Sequence, residues 1–353
     1  VREGSGRMDV GGVRYGHRWW APEAGRNVLP PVVLVHGFAQ SAASWDAVAR
    51  RLAEDRAVYA LDLLGCGGSD CPEDPEAYSL AAQGRALAAF VRLVREQAAA
   101  PVASMRVGSA ASAEDATHAG AASAGDEAGV GAPAPAGSAA PAGAAAFGSA
   151  APVGSAAPVG GEAMFHVKPW VVGYSMGGRV LLAAAAVDKA FPQFVGGVVL
   201  ESAGLGPASE SDRAAAARAD ARHAAMLRTK GVKAFFAYWE GLPLFETQRA
   251  LPDDVRRSVA AERLAHDAES LARAFDCAGQ HCMPARGQAL ETLQRLVAAD
   301  VSVCYLAGQL DRKYAALAAD LKDALPAAAV RIIPGAGHNT HLENLEGFLS
   351  AWT

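Results

Sequence analysis

Gly173-Tyr174-Ser175-Met176-Gly177 is a G-x-S-x-G, set between the apolar run Pro169-Trp170-Val171-Val172 and the helix-forming Gly178-Arg179-Val180. Glycines flanking the serine allow a tight strand-to-helix turn that presents the hydroxyl above a sheet. The helix that follows directs its positive end at any anion developing there. A serine hydroxyl is a poor nucleophile or base unless a histidine takes its proton and an acid orients that histidine. Two later residues fit, in the chain order serine, acid, histidine. Asp311 follows the apolar run Val301–Ala307, in Gly308-Gln309-Leu310-Asp311, and His338 follows Val330–Ile333, in Pro334-Gly335-Ala336-Gly337-His338. Both sit where a parallel sheet presents its ligands, at the C-terminal ends of strands.

An acyl-transfer or proton-abstraction centre also needs donors for a developing oxyanion. His36-Gly37-Phe38 ends the first clear strand, so the backbone N–H of Phe38, with that of Met176, is the expected oxyanion hole. His36 itself reads as a residue that holds this loop, and His17 and His341 as bystanders. Asp62 ends a strand before Gly65-Cys66-Gly67-Gly68-Ser69, which lacks a P-loop lysine and suggests structure rather than phosphate binding. Cys277, His281 and Cys282 cluster without a second pair at zinc spacing, so no metal is expected. No cofactor is expected either.

The elements that must hold these groups alternate in type. Pro31–Val35, Ala57–Leu61, Pro169–Val172, Val195–Glu201, Val301–Ala307 and Val330–Ile333 read as strands buried on both faces. Helical stretches intervene, at Ser44–Glu54 and Ser79–Gln97 among others. This order predicts an α/β fold with a mostly parallel central sheet and helices on both faces. The strand signal vanishes between residues 206 and 290, where Arg-, Ala- and Leu-rich helical spacing implies a helical cap over the C-terminal edge of the sheet. Residues 1–100, 164–205 and 291–353 form the expected core, the second carrying the serine turn and the third the aspartate and histidine. Residues 101–163 stand apart: 48 of the 63 are Ala, Gly, Ser or Pro, and Gly-Ser-Ala-Ala-Pro recurs at Gly137, Gly148 and Gly154. So little bulky apolar surface predicts a flexible surface insertion.

Composition excludes several function classes. The 353 residues are 51% hydrophobic, enough for a sizeable core, and carry a net charge of −5, which argues against nucleic-acid binding. The longest apolar run, Val180–Val187, falls far short of the roughly 18 residues of a spanning helix. The N-terminus does not read as a secretory signal, and the five cysteines are an odd number. A cytoplasmic protein with incidental thiols is expected.

These motifs resemble the α/β-hydrolase superfamily. Within it the chain resembles the 2-succinyl-6-hydroxy-2,4-cyclohexadiene-1-carboxylate synthases of menaquinone biosynthesis. The resemblance rests on Gly173–Val180, Glu201–Gly206, Trp239 with Pro243-Leu244-Phe245, Gly308–Tyr314 and Gly335–Glu343. It implies a lyase on a hydrolase scaffold, expelling pyruvate from an enolpyruvyl ether with the Ser175–His338–Asp311 set acting as a base. The implied partner is a small anionic polycarboxylate. Arginine forks suit such a ligand, and Arg179 lies one turn past the serine. By resemblance Tyr174, Trp239, Phe245 and Arg263 line the pocket.

Two departures stand out. The family usually carries an arginine four residues before the aspartate corresponding to Asp220, and here that position is Ala216, so Arg213 or Arg218 is expected to substitute. The Cys66 turn replaces the usual Pro-Gly-His-Gly. Two other readings remain open: a serine ester or carbon–carbon bond hydrolase, which would form an acyl-enzyme, and a non-catalytic binder, which leaves the intact serine, aspartate and histidine without a purpose.

Overall fold

A computed structural model describes residues 1–23, 29–99 and 167–353. The Ala/Gly-rich insertion expected at 101–163 lies outside the described residues.

Eight strands form one sheet in the order β1-β2-β4-β3-β5-β6-β7-β8. They are β1 (Arg2–Val10), β2 (Val13–Ala21), β3 (Val32–Val35), β4 (Val58–Leu61), β5 (Trp170–Tyr174), β6 (Gly197–Glu201), β7 (Ser302–Gly308) and β8 (Ala329–Ile333). The pairs from β4 through β8 are parallel, and β1 and β2 add an antiparallel edge. Parallel register brings the C-terminal ends of β3, β5, β6, β7 and β8 to one side of the sheet. Val35, Tyr174, Glu201, Gly308 and Ile333 therefore all lead into loops on that side.

The helices are α1 (Asp46–Leu52), α2 (Leu80–Ala99), α3 (Met176–Val187), α4 (Glu210–Trp239), α5 (Asp253–Leu264), α6 (Ala268–Ala278), α7 (Arg286–Ala298), α8 (Arg312–Ala324), α9 (Thr340–Glu343) and α10 (Leu345–Ser350). The continuous apolar strands are explained by two cores. Val33, Val35, Val171, Val198 and Leu200 pack with α2, α3, α7 and α8, while Val32, Leu34, Val172 and Val199 pack with α1 and α10. Adjacent strand residues face opposite sides, so each strand needs apolar side chains at every position. Burying one such side chain stabilises the fold by about 1.5–3 kcal/mol.

The β1–β2 hairpin went unread in the sequence, and its packing explains why. Gly4 and Gly6 occupy positions where a Cβ would come within 2.7 Å of the Trp19 ring and 2.8 Å of the His17 ring. Two cross-strand rings thus cover glycines, and β1 shows no apolar alternation.

Between β6 and β7 every described element is helical. Helix α4 breaks at Gly231, which has φ 75°, and the chain folds back through Pro243–Ala250 to α5 and α6. Leu227, Phe235, Phe236, Leu271 and Phe275 form an apolar cluster with Phe38 packed against it. The helical block is thereby seated on the loop that follows β3. No described helix is long and apolar enough to cross a membrane.

His36 holds that loop from beneath. Its Nδ1–H donates to Gly37 O at 2.7 Å and its Nε2 accepts from Leu63 N at 3.0 Å, so the ring is used as the neutral tautomer. Burial pushes its pKa down to about 4, against a smaller opposing pull from Asp62. The unfolded chain, with an ordinary histidine, takes up a proton first as the pH falls. Stability is therefore level above about pH 6.5 and declines towards pH 4, by roughly 3 kcal/mol from this group. Denaturant melts from pH 7 to 4 check this: His36→Gln should flatten that slope, and an unchanged slope would contradict the assignment.

Candidate active site

Ser175 lies between β5 and α3 with φ 49° and ψ −105°, a left-handed conformation that strains a residue with a Cβ. The neighbouring backbone enforces it. A Cβ on Gly173 would sit 2.6 Å from Gly177 O and 2.7 Å from Gly178 Cα, so the turn closes only with glycine there. Gly173→Ala is expected to destabilise the fold by about 3 kcal/mol and remove activity. A variant with wild-type Tm and turnover would show that the turn is looser than its geometry.

Asp311 caps the N-terminus of α8, with Oδ1 accepting from Tyr314 N at 3.1 Å. Its Oδ2 accepts from His338 Nδ1 at 2.7 Å, and His338 Nε2 lies 3.1 Å from Ser175 Oγ. The cap bond fixes the carboxylate, the carboxylate fixes the imidazole tautomer, and the free nitrogen faces the serine. Asp311 and His338 are both buried, which shields the pair from water. The arrangement can accept a proton from Ser175 and return it, the geometry of a general base or of nucleophile activation. The backbone N–H groups of Phe38 and Met176 donate to no other described group, which leaves both free for an oxyanion.

A cavity of about 610 Å³ opens over the serine. Phe38, Tyr174, Ser175, Arg179, Trp239, Phe245, Arg263 and His338 line it. Tyr174 packs its ring 5.4 Å from that of His338, and burial holds its hydroxyl well above the ordinary tyrosine range, so it stays neutral. Trp239 and Phe245 pack with their rings tilted and centroids 5.4 Å apart. Arg263 is already engaged, donating to Glu240 at 2.9 Å and Gln248 at 3.2 Å. Arg179 is different: it is buried and makes no side-chain hydrogen bond or ion pair among the described residues, with Nε lacking any partner. Burial lowers its pKa, opposed by Tyr314, Asp220 and Cys282.

The expectation that Arg213 or Arg218 substitutes at the position of Ala216 is corrected by the face that α4 presents. Asp212, Ala215, Ala216, Ala219, Asp220 and His223 line the cavity at helical spacing, and neither arginine is among the lining residues. Arg213 turns aside to donate to the carbonyls of His281 and Met283 at 2.6 and 2.7 Å. Arg218 is exposed, two residues past Ala216 and so about 200° round the helix.

The sequence reasoning missed two cations that do line the cavity, Arg286 and Lys313. Lys313 stood within the Gly308–Tyr314 motif and could have been found there. Arg286 opens α7 and carried no motif. Among the described residues no group of three or more histidine, cysteine or acidic side chains could hold a metal, and all five cysteines are free. Asp62, read as structural, accepts from Ala42 N at 2.6 Å and Gly68 N at 2.9 Å, which ties the Cys66 turn to the β3 loop.

A model described as alpha/beta hydrolase fold matches residues 30–100, and one described as alpha/beta hydrolase family matches residues 128–351, more than half of the chain. A putative 2-succinyl-6-hydroxy-2,4-cyclohexadiene-1-carboxylate synthase of Bacillus subtilis (strain 168) is 32% identical over 173 residues, 49% of this chain and 60% of the relative. The synthase of that name from Escherichia coli O1:K1 / APEC is 35% identical over 182 residues, 52% of this chain and 66% of the relative. The chain thus spans slightly less than two thirds of the length of these curated relatives. Among solved structures, MenH from S. aureus superposes with a TM-score of 0.67 at 19% identity, covering 94% of each chain. A hydrolase from Pseudomonas aeruginosa PA01 gives 0.61 at 16% identity, covering 98% of this chain and 96% of that one. At these identities the two structures speak for the fold.

Proposed function

This chain belongs to the alpha/beta hydrolase family, and within it we propose that the protein is a lyase that eliminates pyruvate from 2-succinyl-5-enolpyruvyl-6-hydroxy-3-cyclohexene-1-carboxylate. The product is 2-succinyl-6-hydroxy-2,4-cyclohexadiene-1-carboxylate, an intermediate of menaquinone biosynthesis. The observation that carries this reading is the buried Arg179, without a partner among the described residues, four residues past the serine in the same cavity. An unpaired buried cation is costly, and a substrate carboxylate supplies the missing partner. The names of the two curated relatives support the same reaction.

Ser175 Oγ passes its proton to His338 Nε2 and removes a proton from the substrate ring. Asp311 stabilises the imidazolium that forms. Negative charge spreads onto the succinyl carbonyl, where Phe38 N–H and Met176 N–H receive it. The ring carbon–oxygen bond then breaks with its electron pair on the departing oxygen, the diene forms, and the pyruvate enolate takes the proton held on His338 and leaves as pyruvate, which restores the neutral imidazole. The step moves a proton and an electron pair without oxidation, so it calls for no redox cofactor. Arg179 and Lys313 supply charge for the carboxylates, and the apolar wall of Trp239 and Phe245 excludes water.

The same serine geometry serves a hydrolase, which would carry its acyl group on Ser175. Intact-mass analysis of protein quenched during turnover separates the two. The elimination leaves the chain at its free mass while pyruvate accumulates; an acyl adduct on Ser175 without pyruvate would overturn the proposal.

A further inference from the structure

Glu201 ends β6 and is wholly buried, yet it is not among the residues that line the cavity. A buried carboxylate is retained at a cost unless donors surround it, and this one is surrounded. Oε1 accepts from Thr340 Oγ1 at 2.7 Å and from His341 N at 3.0 Å, and Oε2 accepts from His341 Nδ1 at 2.7 Å. Its backbone carbonyl accepts from Ser175 N at 2.8 Å. One residue therefore grips the serine turn with its main chain and the segment just after His338 with its side chain. His341 is fixed in turn, stacked on Trp45 at 3.9 Å and edge-on to Tyr174 at 5.1 Å.

We infer that Glu201 is a positioning residue that holds the His338 loop in register with Ser175. The inference rests on the reading above in one respect, that Ser175 and His338 are the reacting pair. His338 precedes Thr340 by two residues, and its contact with Ser175 Oγ is 3.1 Å. Asp311 holds the ring, and Glu343 braces the loop internally, accepting from Gly337 N at 2.7 Å and Asn339 N at 3.2 Å; Glu201 instead ties that loop to the strand whose carbonyl holds Ser175 N. A displacement of about 1 Å costs on the order of a hundredfold in rate. The charge matters as well as the shape. In Glu201→Gln an amide N–H would face the His341 Nδ1–H, donor against donor. Turning His341 to its other tautomer only moves the unpaired proton to Nε2, which is buried without a partner.

The test uses a small alkyl fluorophosphonate, so that it does not depend on the natural substrate. The Ser175 Oγ–phosphorus bond forms, the phosphorus–fluorine bond breaks, fluoride leaves and the hydroxyl proton passes to His338. Glu201→Gln is expected to label at least about tenfold more slowly than wild type, and Thr340→Val about threefold more slowly. Val48→Ala, a core truncation on α1, lowers Tm without slowing the label and separates positioning from general destabilisation. Wild-type labelling rates in folded Glu201→Gln would overturn the role. Should that variant not fold, Thr340→Val decides, and a wild-type rate there is equally fatal. Failure of the wild-type protein to label at Ser175 would instead remove the serine–histidine chemistry, and the positioning role with it.

Discussion

Ser175→Ala is expected to lower turnover by about three orders of magnitude or more while leaving the fold intact. The hydroxyl is the group in contact with both His338 Nε2 and the cavity, and removing one member of such a set forfeits nearly all that the set contributes. Stability changes little. The residue keeps its left-handed backbone, one hydrogen bond is lost, and the expected cost is about 1 kcal/mol. Circular dichroism and a thermal melt beside steady-state kinetics check both halves. Turnover within tenfold of wild type would remove the serine from the mechanism.

Arg179→Met should move activity and stability in opposite directions. A buried guanidinium without an ionic partner costs the folded protein, and a thioether of similar length removes that cost. Tm is therefore expected to hold or rise by a few degrees. Substrate turnover should meanwhile fall about a hundredfold in kcat/KM, corresponding to roughly 3 kcal/mol for a charge-assisted contact in a dry cavity. Arg179→Lys should recover only a part, because an ammonium cannot match the two-pronged contact of a guanidinium with a carboxylate. Labelling by a neutral fluorophosphonate should proceed at the wild-type rate. A drop in Tm with unchanged kcat/KM would make Arg179 a packing residue.

The core was legible because a parallel sheet buried on both faces writes itself as continuous apolar runs, and five loops on one side of that sheet end in the residues of the site. Val32–Val35 running into His36-Gly37-Phe38 and Trp170–Tyr174 running into Ser175 are the clearest cases. The structure brings Ser175, Asp311 and His338 within hydrogen-bonding distance in the expected order along the chain. What was not legible depended on direction rather than type. Arg213, Arg218 and Ala216 share one helix, and only the helix rotation set by packing against α6 and residues 280–282 decides which of them faces the cavity. Arg286 reaches it from a separate element that carries no motif. Glu201 was quoted within a family motif, but its carboxylate acquires its contacts only when β6 and α9 meet across 140 residues of chain. The hairpin of β1 and β2 was hidden by glycines whose cover comes from the opposite strand.

Pyruvate release from the enolpyruvyl substrate, followed together with the ultraviolet absorbance of the new ring diene, tests the central claim most directly. Wild type, Ser175→Ala and a reaction without protein are run side by side, since this substrate also loses pyruvate unaided in base. Catalysed release is expected, with one diene formed per pyruvate, falling to near the uncatalysed rate in Ser175→Ala. Release at the background rate in all three, with wild type hydrolysing simple aryl esters instead, would contradict it and leave a serine hydrolase.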